Sequence, residues 1–383
     1  MMNSDVRYQV CVRCVMDTTD ENIVFDESGI CNHCKLIMDR RDNYWLPDER
    51  GEKKLNALIA EMKQRGQGKA YDCVLGVSGG VDSSYLLMKA HEEWGLRVLA
   101  IHVDAGWNSE LAVRNIELMI TKLGIDLHTV VVDWEEMKDL QLAFLRAGVP
   151  NQDIPQDHAF LAALYKETAR QRIPFALTGS NYATESILPS AWGYSAGDLT
   201  HIRAIHRQFG KRPLRKFPMM GFWYFNFYLP KFLGLKIVAP LDLMPFSKRS
   251  AIEYLEKRFG WRYYGGKHYE SRFTKFFQGY YLPTRFGFDK RRAHLASLVA
   301  SGEMTRDQAL AELQQPSYFA EDIAKDRAFV LKKLELSETE FGELLAAPLK
   351  AHREYPTNEW MHKIRWATSF RERFRILRDH LGF

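Results

Sequence analysis

From residue 71 onward the apolar positions alternate between two periods. Residues 71–77 form a short apolar run of buried-strand length, holding Val74, Leu75 and Val77. From 82 to 91 the pattern turns helical, with Leu86, Leu87 and Ala90 on one side. Residues 97–103 and 127–132 repeat the strand signal. Between them, 109–123 sets Leu111, Ile116, Met119, Ile120 and Leu123 on one helical face and stops at Gly124. Helical patterns at 134–147 and 156–171 lead to a fourth strand at 175–177. Residues 237–240 read as the last strand, before a helix that Ser247 caps and that ends at Phe259. Strands alternating with helices predict an α/β domain built on a parallel sheet. Ligands of such sheets bind beyond the carboxyl ends of the strands. The stretches 78–84, 102–108 and 178–185 are therefore the site candidates.

The flanks do not share this alternation. Residues 1–40 hold two cysteine pairs, with a small hairpin expected between Ile23–Phe25 and Gly29–Ile30. Residues 41–68 are charged, with Leu55, Leu58, Ile59 and Met62 at helical spacing, and read as a helical linker. The nucleotide-type domain spans 69–260. It is interrupted at about 186–236 by an insertion rich in cations and aromatics, including Phe222, Trp223, Tyr224, Phe225, Phe227 and Tyr228. Packing on the domain's own core and docking to a protein or membrane face are both open readings of it. Residues 261–383 begin with interleaved cations and aromatics from Lys267 to Arg292 and continue as helices, with a turn at Ser301–Thr305.

Composition adds limits. The chain has 383 residues, 46% hydrophobic and 26% charged, as in ordinary globular proteins. A formal charge of +5 suits anionic small substrates and is too weak to argue for nucleic acid. The stretch MMNSDVRYQV lacks the apolar core of a signal peptide, and no run of about 18 apolar residues occurs. A cytoplasmic protein is expected. Four of the five cysteines follow the spacing Cys11-x2-Cys14-x16-Cys31-x2-Cys34. Two such turns aim four sulfurs at one tetrahedral zinc ion, with no position left for substrate. Two disulfides are the competing use and belong to oxidising compartments. His33 is a lesser candidate ligand, and Cys73 reads as a core residue.

The chemistry concentrates at Ser78-Gly79-Gly80-Val81-Asp82-Ser83-Ser84, between the first strand and its helix. Two glycines let the backbone curl round an anion, and the helix N-terminus points N–H groups at it. Asp82 would repel a phosphate unless magnesium bridged the two. No Gly-Lys-Ser/Thr follows, so this is not a Walker loop.

This loop resembles the SGGxDS loop of the PP-loop ATP pyrophosphatases. The resemblance implies that Ser78, Gly79, Gly80, Asp82, Ser83 and Ser84 hold the phosphates of ATP. His102, Val103 and Asp104 resemble the nucleoside-pocket strand end, and Thr178, Gly179, Asn181 and Glu185 the later ATP-contact loop. Glu185 is the expected second magnesium ligand beside Asp82. The cysteine knuckle, SGGVDSS and HYESRFTKFFQGYYLPTRFGFDKRR together resemble the N-acetyl sugar amidotransferases of surface-polysaccharide (LPS O-antigen) biosynthesis, over about residues 7–310. That resemblance implies conversion of an acetamido group on a nucleotide sugar to an acetamidino group. The amide oxygen would be adenylylated by ATP and ammonia would displace AMP. Lys267, Arg272, Lys275 and Arg285 are candidates for the pyrophosphate or the sugar-nucleotide diphosphate, and His268 for a proton on ammonia. No glutaminase nucleophile is visible, so a separate glutaminase with a cyclase-like subunit is the expected source of ammonia. A tRNA-thiolating PP-loop enzyme is the alternative; such enzymes use additional cysteines near ATP, and here only Cys73 remains.

Overall fold

The computed structural model describes residues 7–267 and 269–363. Five parallel strands form one sheet in the order β3-β2-β1-β4-β5, with β1 Cys73–Gly76, β2 Val98–Asp104, β3 Asp126–Val131, β4 Phe175–Leu177 and β5 Lys236–Val238. The alternation of side chains along each strand divides the core in two. Val74, Leu99, Ile101, Val103 and Ala176 belong to one apolar cluster. Cys73, Leu75, Val98, Ala100, Phe175 and Leu177 belong to the other. This is the period-2 rule applied to a sheet covered on both faces.

Helices α1 (Asn32–Tyr44) and α2 (Glu49–Arg65) precede the sheet. On its faces lie α3 (Val81–Met88), α4 (Glu110–Leu123), α5 (Trp134–Ala147) and α6 (Ile154–Arg170). Leu86, Leu87, Ile116 and Met119 of α3 and α4 join the second cluster. Met137, Leu140, Phe144, Ala159 and Ala162 of α5 and α6 join the first. Then come α7 (Tyr182–Glu185), α8 (Leu199–Phe209) and α9 (Lys248–Phe259). Past Gly260 the chain is helical, with α10 (Arg272–Phe276), α11 (Leu282–Phe286), α12 (Arg291–Ser301), α13 (Arg306–Gln314) and α14 (Ala320–Leu334).

Several expectations shift in detail. β3 is an edge strand, and its Leu127 and Val131 share one face that is left exposed. The helix after Gly80 passes into a π-helical turn at Lys89–Glu93. α1 crosses the boundary set at residue 40. Ser247 occupies the N-cap of α9, but its side chain makes no capping bond. Between the cysteine pairs the expected hairpin is reduced to one antiparallel bridge, Phe25 to Cys31. Asp26 organises that turn by accepting from the Ser28 and Ile30 amides at 3.0 and 2.9 Å.

The insertion packs on the core. Phe217, Met220, Phe222 and Leu229 are buried, whereas Trp223, Tyr228 and Phe232 are exposed. Glu136 of α5 accepts from the backbone amides of Arg215, Lys216 and Phe217, and Asp139 from those of Lys211 and Arg212. Two buried carboxylates thus use main-chain donors of the basic stretch to fasten it.

Candidate functional site

Strand order reverses beside β1, since β2 and β3 lie on one side of it and β4 and β5 on the other. The loops leaving β1 and β4 therefore meet at the crevice where parallel sheets bind ligands. Gly79 has φ +79°, and a Cβ there would lie 2.4 Å from the Ala112 carbonyl oxygen of α4. A Cβ on Gly179 would lie 3.0 Å from the Ser83 amide nitrogen. The first contact requires glycine and seats the loop on α4, and the second is a close approach that brings 178–185 against 78–84. Gly80 caps α3 without a side-chain acceptor, leaving its first turn open to an external anion. Ser83 Oγ donates to the Gly80 carbonyl at 3.3 Å, and Ser84 is buried. Trp261 Nε1 donates to the Gly79 carbonyl at 3.2 Å, and the Val81 amide donates to Tyr264 Oη at 3.3 Å. The 261–264 stretch thus braces the loop from above, a role that nothing in its local sequence signals.

A cavity of about 850 Å³ opens at this corner, towards the upper end of the roughly 300–1,000 Å³ range of ligand sites. Ser78, His102, Val103, Thr178, Gly179, Glu185, Lys267 and Lys275 line it, as the sequence reading placed them. Asp82 stands directly behind Gly179. Its Oδ1 is sealed from solvent with no hydrogen-bond partner among the described residues. Burial, reinforced by Glu185 and Glu270 and opposed by Lys248 and Lys267, pushes its carboxyl up to about 6. A sealed carboxylate oxygen without a donor is suited to a cation, and Asp82 with Glu185 fits magnesium. Lys267 pairs with Glu185 at 3.1 Å and donates to the Thr184 carbonyl at 3.2 Å. Asn181 caps α7 by accepting from the Thr184 amide at 3.0 Å, so it shapes the loop. His102 Nδ1 lies 3.0 Å from the Val77 carbonyl, and its Nε2 lies 3.1 Å from Asn108 Nδ2. These partners assign the neutral tautomer with the proton on Nδ1.

Three predicted residues lie elsewhere. Asp104 does not line the cavity; it accepts from the Gly106 amide and Asn108 Nδ2 at 2.8 and 3.1 Å, because the chain must turn there after β2. Arg272 pairs with Asp326 at 2.7 Å with its guanidinium 3.7 Å above the Phe329 ring, which fastens α10 to α14. Arg285 is buried beneath the C-terminal region, where Nη2 donates to the Pro348 carbonyl at 3.3 Å. Spacing alone cannot separate such cations from those facing a ligand. Lys275 lines the cavity but also pairs with Asp322 and Asp326. His268 lies outside the described residues. The sequence reading missed Asp153, Asp157, Tyr263, Tyr264, Glu270 and Lys290, all on the cavity wall. The i, i+4 spacing of Asp153 and Asp157 at a helix start was the available signal.

Cys11, Cys14, Cys31 and Cys34 are buried, with sulfurs all within 4.8 Å of one another. Backbone amides of Arg13 and Cys31 donate to Cys11 Sγ at 3.4 and 3.3 Å, and that of Met16 to Cys14 Sγ at 3.4 Å. Donors aimed at sulfur favour thiolates, and the four fit zinc. His33 is not a ligand; it lies 2.6 Å from Asp20. Cys73 is fully buried in β1, and burial pushes its thiol up.

Residues 270–368 match the family described as LPS biosynthesis protein WbpG-like, C-terminal domain. The match begins inside the segment that carried the sequence resemblance and bears that resemblance out. An uncharacterized protein of Methanocaldococcus jannaschii, MJ1599, is 28% identical over 129 residues, 33% of this chain and 44% of that protein. The glutamine-hydrolyzing GMP synthase of Pyrobaculum aerophilum is 29% identical over 97 residues, 25% of this chain and 18% of that one. The chain thus spans less than half of either relative. Among solved structures, NH3-dependent NAD synthetase from Campylobacter jejuni aligns at TM-score 0.27 and 14% identity, over 35% of this chain and 58% of that one. NMN synthetase from Francisella tularensis aligns at TM-score 0.30 and 17% identity, over 55% and 86%. Among the described residues no helix is long and apolar enough to cross a membrane.

Proposed function

We propose that this chain is an ATP-dependent amidotransferase that converts the acetamido group of a nucleotide-activated sugar to an acetamidino group in LPS biosynthesis. One observation carries the reading: the PP-loop and the start of the WbpG-like segment line the same cavity. ATP would lie with its phosphates on Ser78–Ser84 and magnesium on Asp82 and Glu185. The amide oxygen attacks the α-phosphorus, and pyrophosphate leaves. An amide carbon is a poor electrophile, and adenylylation makes its oxygen a good leaving group. Ammonia then adds to carbon, and AMP departs. Lys267 stands beside Glu185, where a cation offsets charge on the departing pyrophosphate. Magnesium supplies charge neutralisation on the phosphates when bound; Zn²⁺ in the knuckle is structural. Ammonia comes from a separate glutaminase through a cyclase-like subunit.

Thiolation of tRNA is the less favoured reading, because no cysteine lines the cavity among the described residues. The test is pyrophosphate release from ATP with ammonium, comparing UDP-N-acetylated sugars with bulk tRNA. Sugar-dependent release with an acetamidino product supports the amidotransferase. Release only with tRNA would refute it.

A further inference from the structure

The cavity has a second charged end that ATP activation leaves unused. α6 begins there, and its first turn sets Asp153 and Asp157 on the wall. Asp153 is well supplied with donors: Gln156 Nε2 and Thr274 Oγ1 reach Oδ1 at 2.8 and 3.0 Å, and Gln278 Nε2 reaches Oδ2 at 3.2 Å. The Asp157 side chain, in contrast, accepts no hydrogen bond and forms no ion pair among the described residues. Lys290, just before α12, is the cation that acts on both carboxylates, while Glu270 adds negative charge from the PP-loop side. Solvent reaches Asp157 and Lys290 through the cavity they line.

Asp153 and Asp157, with Glu270 near them, outnumber the one ammonium group of Lys290 on this wall. Carboxylates gathered in a confined, partly buried wall repel one another, so the site favours a cation. An excess of carboxylates suits a cation, and the unused lone pairs of Asp157 suit one that donates hydrogen bonds. The cavity is continuous from this wall to the PP-loop.

We propose that Asp157, on the cavity wall with Asp153 and Lys290, receives ammonium at this end of the cavity and takes its proton, releasing ammonia towards the activated substrate. The assignment rests on the amidotransferase reading above. Ammonium gives one N–H proton to an Asp157 carboxylate oxygen. The freed lone pair forms the C–N bond at the imidate carbon, and the C–O bond to AMP breaks with its electrons leaving on AMP. The added nitrogen then loses a second proton to solvent. Amide, ATP and ammonium become amidinium, AMP, pyrophosphate and two protons. Burial and the neighbouring Asp153 raise the proton affinity of Asp157 well above the usual carboxylate range, as a proton acceptor for ammonium requires. Lys290 opposes that rise; its own ammonium is held below the ordinary lysine range by burial.

The test is Asp157→Asn in the full-length chain. ATP–pyrophosphate exchange with the sugar substrate should persist, while ammonium-dependent AMP formation falls about 100-fold. Hydroxylamine, a neutral nucleophile near neutral pH, should restore turnover. Asp157→Glu, which keeps a carboxylate, should retain part of the ammonium-dependent rate. Ammonium use by Asp157→Asn at the wild-type rate, or loss of exchange together with turnover, overturns the assignment. In the wild-type enzyme the KM for total ammonium should stay level from about pH 7 to 8. A fall of about tenfold across that unit would mean that only neutral ammonia binds, and would also overturn it. Absence of exchange in the wild type with every N-acetylated nucleotide sugar would refute the amidotransferase reading itself.

Discussion

Asp82 holds a buried carboxylate oxygen that no donor among the described residues satisfies. Such a group costs stability and persists where a ligand uses it. Asp82→Asn should therefore fold at least as stably as wild type, by thermal unfolding, yet lose ATP-dependent pyrophosphate release by more than about 100-fold. Retained release would remove its magnesium role. Arg285 tests the opposite outcome. Its Nε and Nη1 are buried with no hydrogen-bond partner among the described residues, and it lies off the cavity. Arg285→Met should leave the KM for ATP and sugar unchanged; a rise in either would return it to the site. His158 is a buried core histidine, accepting from the Met220 amide at 3.0 Å and lying 2.6 Å from the Ala196 carbonyl. Burial pulls it down to about 4, so folding favours the neutral ring. The unfolded chain binds the proton first, at about pH 6.5. The stability that His158 supplies is complete above that pH and is lost as pH falls towards about 4. That loss amounts to on the order of 3 kcal/mol. Urea unfolding across this window should show a smaller acid loss in His158→Gln than in wild type.

Among the elements, the cysteine knuckle does more than close on itself. Arg292, on α12, pairs with Asp17 at 2.9 Å and donates to the Val15 carbonyl at 2.8 Å. Arg306, on α13, donates to the Cys11 and Cys14 carbonyls at 3.1 and 3.0 Å. Tyr182 of α7 donates to the Ile37 carbonyl of α1 at 2.7 Å. The knuckle thus holds α7, which carries Glu185, and α12, which Lys290 precedes. If the four cysteines hold zinc, a chelator should lower the unfolding temperature and weaken ATP binding together, as should Cys14→Ser, read by calorimetry. Unchanged ATP affinity in a metal-free folded chain would limit the knuckle to local stability. The α5–insertion joint has a simpler expectation. Glu136→Ala strands three backbone donors and should cost about 2–4 kcal/mol in urea unfolding.

Over the whole molecule, the site is assembled from segments far apart in the chain: 76–78, 101–108, 151–165, 177–196 and 263–322. The glycine turn at 78–84, the strand and helix order and the cysteine quartet were legible because each is local: a turn, a period, a spacing. The glycines at 79 and 179 were legible for the same reason. The fates of Asp104, Arg272 and Arg285 were not, since a carboxylate in a turn and a guanidinium over a ring carry the same letters as ligand-facing groups. Asp157 and Lys290, 133 positions apart in the numbering, drew no notice singly. Their meaning is mutual and depends on α6 and the start of α12 reaching one wall.

By itself, then, the sequence determined the α/β class, the glycine corner between the first strand and its helix, and the four-sulfur cluster, because backbone conformation and ligand spacing are set within a few residues. Only the tertiary structure decided which charged side chains face the cavity and which fasten helices together. That choice depends on distance between remote segments and on exclusion of water, and neither is written in local order along the chain.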